Sequence, residues 1–151
     1  FLSKENIHVE LTNDPLSITQ VMDRIRSPKA GALVLFAGTT RDNFDNKPVA
    51  HLAYTAYTPR ALATMMSICE EVMQKHGLIG ISMVHRVGEV PIGEESVLIA
   101  VAGKHRGEAW RGGEEALEMV KERVEIWKME WFEDGDGVWR SNRDGKAGVR
   151  V

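Results

Sequence analysis

Apolar and polar positions along this chain keep to two periods, and the switches between them predict its elements. Ser17 has N-cap chemistry, and Ile18, Val21, Met22 and Ile25 follow at helical spacing, with Pro28 just beyond. The continuous apolar run Ala32-Leu33-Val34-Leu35-Phe36-Ala37 predicts a buried strand that empties into the polar loop Gly38-Thr39-Thr40-Arg41-Asp42-Asn43. Leu52, Tyr54 and Ala56 share one face of a second strand, with Ala53, Thr55 and Tyr57 on the other. Thr58-Pro59 then predicts a helix start, Thr58 as the cap and Pro59 as the first helical residue. Leu62, Met65, Met66, Cys69, Val72 and Met73 form its apolar stripe, and Gly77 closes it.

Ile79, Ile81 and Met83 predict the next strand, and Val97-Leu98-Ile99-Ala100-Val101 another buried one. The turn between them is Gly88-Glu89-Val90-Pro91-Ile92-Gly93. A third helix is expected from about Glu108 to Arg123, with Ala109, Ala116, Leu117 and Val120 facing inward. Gly112-Gly113 weakens it by roughly 1 kcal/mol per glycine unless close packing requires them. Ile126 to Phe132 and Val138 to Ser141 read as a hairpin around Glu133-Asp134-Gly135-Asp136-Gly137. The polar tail from about Asn142 is expected to be mobile. Mixed helix and strand make the class α/β or α+β. With no repeat, linker or low-complexity tract, a single domain is expected across residues 1–151.

Composition narrows the function. Hydrophobic residues at 43% and charged residues at 27% match a soluble globular protein, and no apolar run approaches the roughly 18 residues that span a membrane. The first residues lack a secretory signal, and a start at Phe1 rather than Met raises the expectation of an upstream segment. The single cysteine, Cys69, excludes an internal disulfide and a multi-cysteine zinc site, and fits a reducing, cytoplasmic compartment. A net charge of −3 argues against a general nucleic-acid binder, so any anion specificity must come from a local cluster of cations.

Three places combine cations with the end of an element: Thr39-Thr40-Arg41 after the first buried strand, Lys104-His105-Arg106 after the last, and Lys121 with Lys128 around the far end of the third helix. The first two are expected at the carboxyl ends of strands, where open α/β sheets bind ligands, with helix N–H groups adding donors. Each has an ordinary reading as well. Arg41 and the His105-Arg106 pair suit solvated surface, Lys121 suits a helix lysine paired with Glu118 or Glu125, and Lys128 suits a strand lysine lying over Trp127 or Trp131. The glycines match no Rossmann or Walker A pattern, and histidines 8, 51, 76, 85 and 105 lack metal-ligand spacing. Cys69, on its helix's apolar stripe, reads as an inert buried thiol, and the methionines as core filler.

Taken in order, several segments resemble the large subunit of molybdopterin synthase, the MoaE family. They are Phe36-Ala37-Gly38-Thr39-Thr40-Arg41, Tyr54-Thr55-Ala56-Tyr57, His85-Arg86-Val87-Gly88, Pro91-Ile92-Gly93-Glu94-Glu95-Ser96-Val97, Lys104-His105-Arg106, Lys121, Ile126-Trp127-Lys128-Met129-Glu130 and Asp136-Gly137-Val138-Trp139. The resemblance implies an α/β hammerhead fold with an additional antiparallel β subdomain. It also implies a central homodimer that binds two small ubiquitin-like sulfur carriers, giving a heterotetramer. In that family the carrier's C-terminal Gly-Gly thiocarboxylate gives sulfur to cyclic pyranopterin monophosphate, twice in succession, forming the dithiolene of molybdopterin for molybdenum cofactor biosynthesis. Neither a cofactor nor a metal of its own is implied, and neither a nucleic acid nor a membrane partner.

Carried over by position, Lys121 and Lys128 are the two catalytic lysines. Arg41, His105 and Arg106 hold the substrate's phosphate and pterin, and Thr39, Thr40, Met129 and Glu130 are neighbouring contacts. A lysine there acts either as general acid or base or as a charge stabilising the acyl oxyanion. Some residues depart from the family. Glu125 stands where Pro is common, Met129 replaces a basic residue and so removes a cation from the expected pocket rim, and Thr55 and Arg60 replace an acidic residue and a methionine. Two other readings stay open: a non-catalytic docking module for a ubiquitin-like partner, and an unrelated anion-binding enzyme.

Overall fold

In the computed structural model, which describes residues 1–44, 46–133, 135, 137–141 and 149–150, the strands expected around 32–37, 81–83 and 97–101 lie side by side in one sheet, but the first, expected to be buried, is an edge strand and only part-buried. Along the chain the elements are β1 (Leu2–Lys4), β2 (Ile7–Thr12), α1 (Ile18–Asp23), β3 (Ala32–Thr39), β4 (Asn43–Phe44), β5 (Lys47–Ala56) and α2 (Thr58–His76). There follow β6 (Gly80–Arg86), β7 (Gly88–Val90), β8 (Glu95–Gly103), α3 (Arg106–Arg123), β9 (Ile126–Phe132), β10 (Gly137–Ser141) and β11 (Val149–Arg150). The first sheet has the order β1-β2-β6-β8-β3, with β2 and β6 parallel and the other pairs antiparallel. The second, antiparallel, runs β11-β10-β9-β5-β4, with β7 also paired to β5. This is the expected mixed class, with the expected extra antiparallel sheet.

Strand alternation distributes the core. On β6 and β8, Ile81, Met83, Val97, Ile99 and Val101 face α2 and α3, whose Met65, Ile68, Cys69, Val72, Ala116 and Val120 complete the main cluster. Val84, Leu98, Ala100 and Ala102 face the other way, onto Val21 and Ile25 at α1. Burial on both faces explains why β8 is a continuous apolar run from Val97 to Ala102. Val49, Leu52, Phe132 and Val138 form a smaller core on the second sheet.

Several boundaries differ from expectation for local reasons. Tyr57, not Thr58, is the N-cap of α2, because its carbonyl accepts from Ala61 N–H while its own N–H is held by the Glu125 carbonyl. Thr58 therefore starts the helix, with no side-chain cap bond. Ser17 caps α1 as predicted, its hydroxyl accepting from Gln20 N–H at 3.2 Å. α3 begins at Arg106, two residues earlier than expected. Gly112 is there for space, since a Cβ would meet Leu78 Cδ1 at 2.8 Å. Unpredicted β1, β2, β4 and β7 are short segments stabilised by pairing rather than by pattern. Of the tail expected to be mobile, Val149–Arg150 pairs with β10, and residues 142–148 and 151 lie outside the described residues, as do Asp134 and Asp136 of the turn.

Candidate active site

Where the last turn of α3 crosses the ends of both sheets, the molecule has a cavity of about 550 Å³. β3 supplies Phe36 and Gly38 and leads into Thr39, Thr40 and the exposed Arg41 at its mouth. α3 supplies Leu117, Val120 and Lys121, an i, i+3, i+4 set on one helix face. From the second sheet come Leu52 and Tyr54 of β5 with Glu130 and Lys128 of β9, which are directly opposed cross-strand pairs (Leu52 with Glu130, Tyr54 with Lys128). Three cationic side chains thus surround one carboxylate among the described lining residues, an excess suited to an anionic ligand.

The loop that carries Arg41 is fastened from below. Thr40 is buried, and its hydroxyl donates to the Pro91 carbonyl at 2.6 Å. Thr40 N–H donates to the Glu94 carbonyl at 3.1 Å and Gly93 N–H donates to the Thr40 carbonyl at 2.9 Å. Thr40 therefore latches the β3 exit to the turn before β8, and the Arg86 guanidinium braces that turn through Glu94 Oε1 at 2.8 Å.

Three residues named from the sequence stand elsewhere. His105 caps α3 and Arg106 begins it, both exposed, while Lys121 is on its last turn. The rise along the helix separates Arg106 from Lys121 by roughly 22 Å. The expectation that both cationic loops share one crevice fails on strand direction. β3 and β8 are antiparallel, with Ala32 opposite Gly103 and Thr39 opposite Glu95, so their carboxyl ends lie at opposite edges of the sheet. Met129, between Lys128 and Glu130, is buried on the other face of β9, so a basic residue at its position would not stand on the cavity rim.

One titratable lining residue was passed over by sequence reasoning. His85 is 1% exposed and continues the inward face begun by Ile81 and Met83, a period-two signal present in the sequence. Its Nδ1 lies 2.8 Å from the Arg86 carbonyl and its ring meets Tyr54 edge-on at 5.0 Å. Burial pushes its pKa down to about 4. The Arg86 carbonyl opposes that shift, and the charges of Lys121 and Lys128 add to it. Cys69 is fully buried in the main core, away from the cavity, and burial, then Glu70, pushes its thiol well above the usual range. Its burial is what its helical position predicted.

With this geometry in view, the comparisons fall on one group. Residues 11–123 match the family described as MoaE protein. The molybdopterin synthase catalytic subunit of Neurospora crassa is 60% identical over 151 residues, covering 99% of this chain and 73% of that protein. The protein of the same name from Pyricularia oryzae is 58% identical, covering 99% of this chain and 82% of its own. The crystal structure of molybdopterin synthase from Staphylococcus aureus superposes with a TM-score of 0.80 at 35% identity, over 93% of this chain and 98% of that one.

Proposed function

Because the chain belongs to the MoaE protein family, we propose that it acts as the catalytic subunit of a molybdopterin synthase, a sulfurtransferase of molybdenum cofactor biosynthesis. The observation that carries this reading onto particular residues is the convergence of Lys121, Lys128 and Arg41 on one cavity. A phosphorylated pterin needs such a place in a chain of net charge −3. Arg41 at the mouth suits phosphate through its bidentate fork. Lys121 and Lys128, deeper in, suit the carrier's thiocarboxylate and the oxyanion that develops when sulfur attacks or the acyl group is released. Thr40 serves by holding Arg41's loop, and Thr39 and Glu130 line the substrate's approach.

The donor of sulfur is a small ubiquitin-like partner whose C-terminal Gly-Gly thiocarboxylate enters this cavity, and the acceptor is cyclic pyranopterin monophosphate. Cys69 takes no part as a relay, being sealed in the core. His105 and Arg106 reach a substrate only from a second copy of the chain, since their own α3 holds them a helix length from Lys121. Such a pairing also matches the central homodimer within a heterotetramer. The setting proposed is the cytoplasm.

Reconstitution tests the reading. The purified chain is mixed with cyclic pyranopterin monophosphate and thiocarboxylated small subunit, and product is followed as its fluorescent oxidised derivative. Product that requires both additions is expected. A folded chain that binds the carrier and forms no product would instead be a docking module.

A further inference from the structure

His85 has no place in the lysine-centred mechanism, yet it is the one fully buried imidazole that opens onto the cavity among the described residues. The Arg86 carbonyl can only accept, so Nδ1 carries the hydrogen and donates it. In a neutral ring the remaining nitrogen, Nε2, is then an acceptor, on the opposite edge of the ring. Tyr54 from β5 meets the ring, Lys121 from α3 with Lys128 and Glu130 from β9 line the same cavity, and the Arg86–Glu94 pair follows on the chain. A histidine that took a second proton here would add a third cation beside two lysines.

We propose that His85 is a positioning residue of the sulfur-transfer site, its Nε2 an acceptor that sets where the ammonium group of Lys121 or of Lys128 sits. The neutral ring lets two ammonium groups share the cavity and offers one of them at a time a fixed hydrogen-bond partner of no charge. The tautomer is locked from behind by the backbone, so the acceptor is available without competition from proton uptake near neutral pH. This inference rests on the proposed sulfurtransferase reading for its kinetic consequence, though not for the coupling between His85 and the lysines.

The two kinds of consequence are tested separately. Histidine-labelled chain is followed by ¹⁵N NMR through a pH titration. His85 should show a protonated Nδ1 and a bare Nε2 across neutral pH, and Lys121→Ala and Lys128→Ala should each raise its pKa. A ring with Nε2 protonated near neutral pH, or a His85 pKa indifferent to both lysines, overturns the proposal whether or not the chain makes molybdopterin. In the reconstituted reaction, His85→Asn keeps a donor for the Arg86 carbonyl and loses the acceptor, whereas His85→Gln places its amide oxygen near the Nε2 position. Turnover should fall by roughly tenfold to a hundredfold in His85→Asn, the range for a lost hydrogen bond to a charged group, with a displaced pH profile. His85→Gln should recover much of it. A folded His85→Asn with native turnover and native pH profile sinks the idea, as does equal impairment of both variants in step with lost thermal stability. An inactive wild-type chain with the predicted NMR couplings refutes the sulfurtransferase reading alone.

Discussion

The Thr64 hydroxyl donates to the Glu125 carboxylate, at 2.7 Å to Oε1 and 3.1 Å to Oε2, and ties α2 to the bend that separates Lys121 from Lys128. The Glu125 carbonyl adds a second tie by accepting Tyr57 N–H at 3.2 Å. Glu125 thus fastens this bend with both its side chain and its backbone carbonyl. Thr64→Val should therefore lower stability by about 1.5 kcal/mol, the lower end for a hydrogen bond to a charged group, and loosen the lysine spacing. Thermal denaturation beside steady-state turnover checks both, and an unchanged melting temperature would refute the tie.

Lys121→Ala is expected to abolish molybdopterin formation while leaving the fold and carrier binding intact, because the residue lies on the last, part-exposed turn of α3 and borders the cavity. Lys128→Ala should be severely impaired as well. Reconstitution with circular dichroism of each variant decides, and near-normal turnover in Lys121→Ala removes the role assigned to it.

If His105 and Arg106 serve a neighbour's cavity, chains carrying Arg106→Ala and chains carrying Lys121→Ala should complement one another. In a two-fold dimer, random reassociation makes half the dimers hybrid, and each hybrid has one intact site, so about a quarter of native activity should return. Mixed chains that form hybrids but stay inactive place both groups in the same site instead.

Cys69→Ala should remain active and lose roughly 1 kcal/mol through the missing buried sulfur. The native thiol, raised by burial, should also resist alkylation until the chain unfolds. A folded but inactive variant would revive a sulfur relay through this residue.

Acid should weaken the fold through His85. Its folded pKa of about 4 lies below its ordinary 6.5, so the unfolded chain binds the proton more readily. The neutral ring's contribution is present above pH 6.5, erodes as pH falls toward 4, and amounts to something on the order of 3 kcal/mol. Denaturant midpoints across that window should slope in the native chain and flatten in His85→Asn. Equal slopes would mean that the imidazole protonates as easily folded as unfolded.

Local pattern determined much of this protein. The run at 97–101 specified a strand because burial on both faces leaves no polar position to interrupt it, and the apolar residues at 32–37 and at Ile81 and Met83 specified its two neighbours. The stripe from Leu62 to Met73, ended by Gly77 at φ +62°, specified α2 and enclosed Cys69. The ordered segments from Phe36 to Trp139 were enough to indicate the family. Pairing and direction were decided only in three dimensions. The antiparallel partnership of β3 and β8 sent Arg41 to one edge of the sheet and the His105-Arg106 pair to the other, although both follow apolar strands. The face of β9 turned Met129 away from the cavity while admitting Lys128 and Glu130. His85 became part of the site only when Tyr54, Lys121 and Lys128 arrived from three other elements. Short-range periodicity records which side of an element is buried. It carries no information on which long-range contacts fill that side, since those are set by chain reversals and strand register.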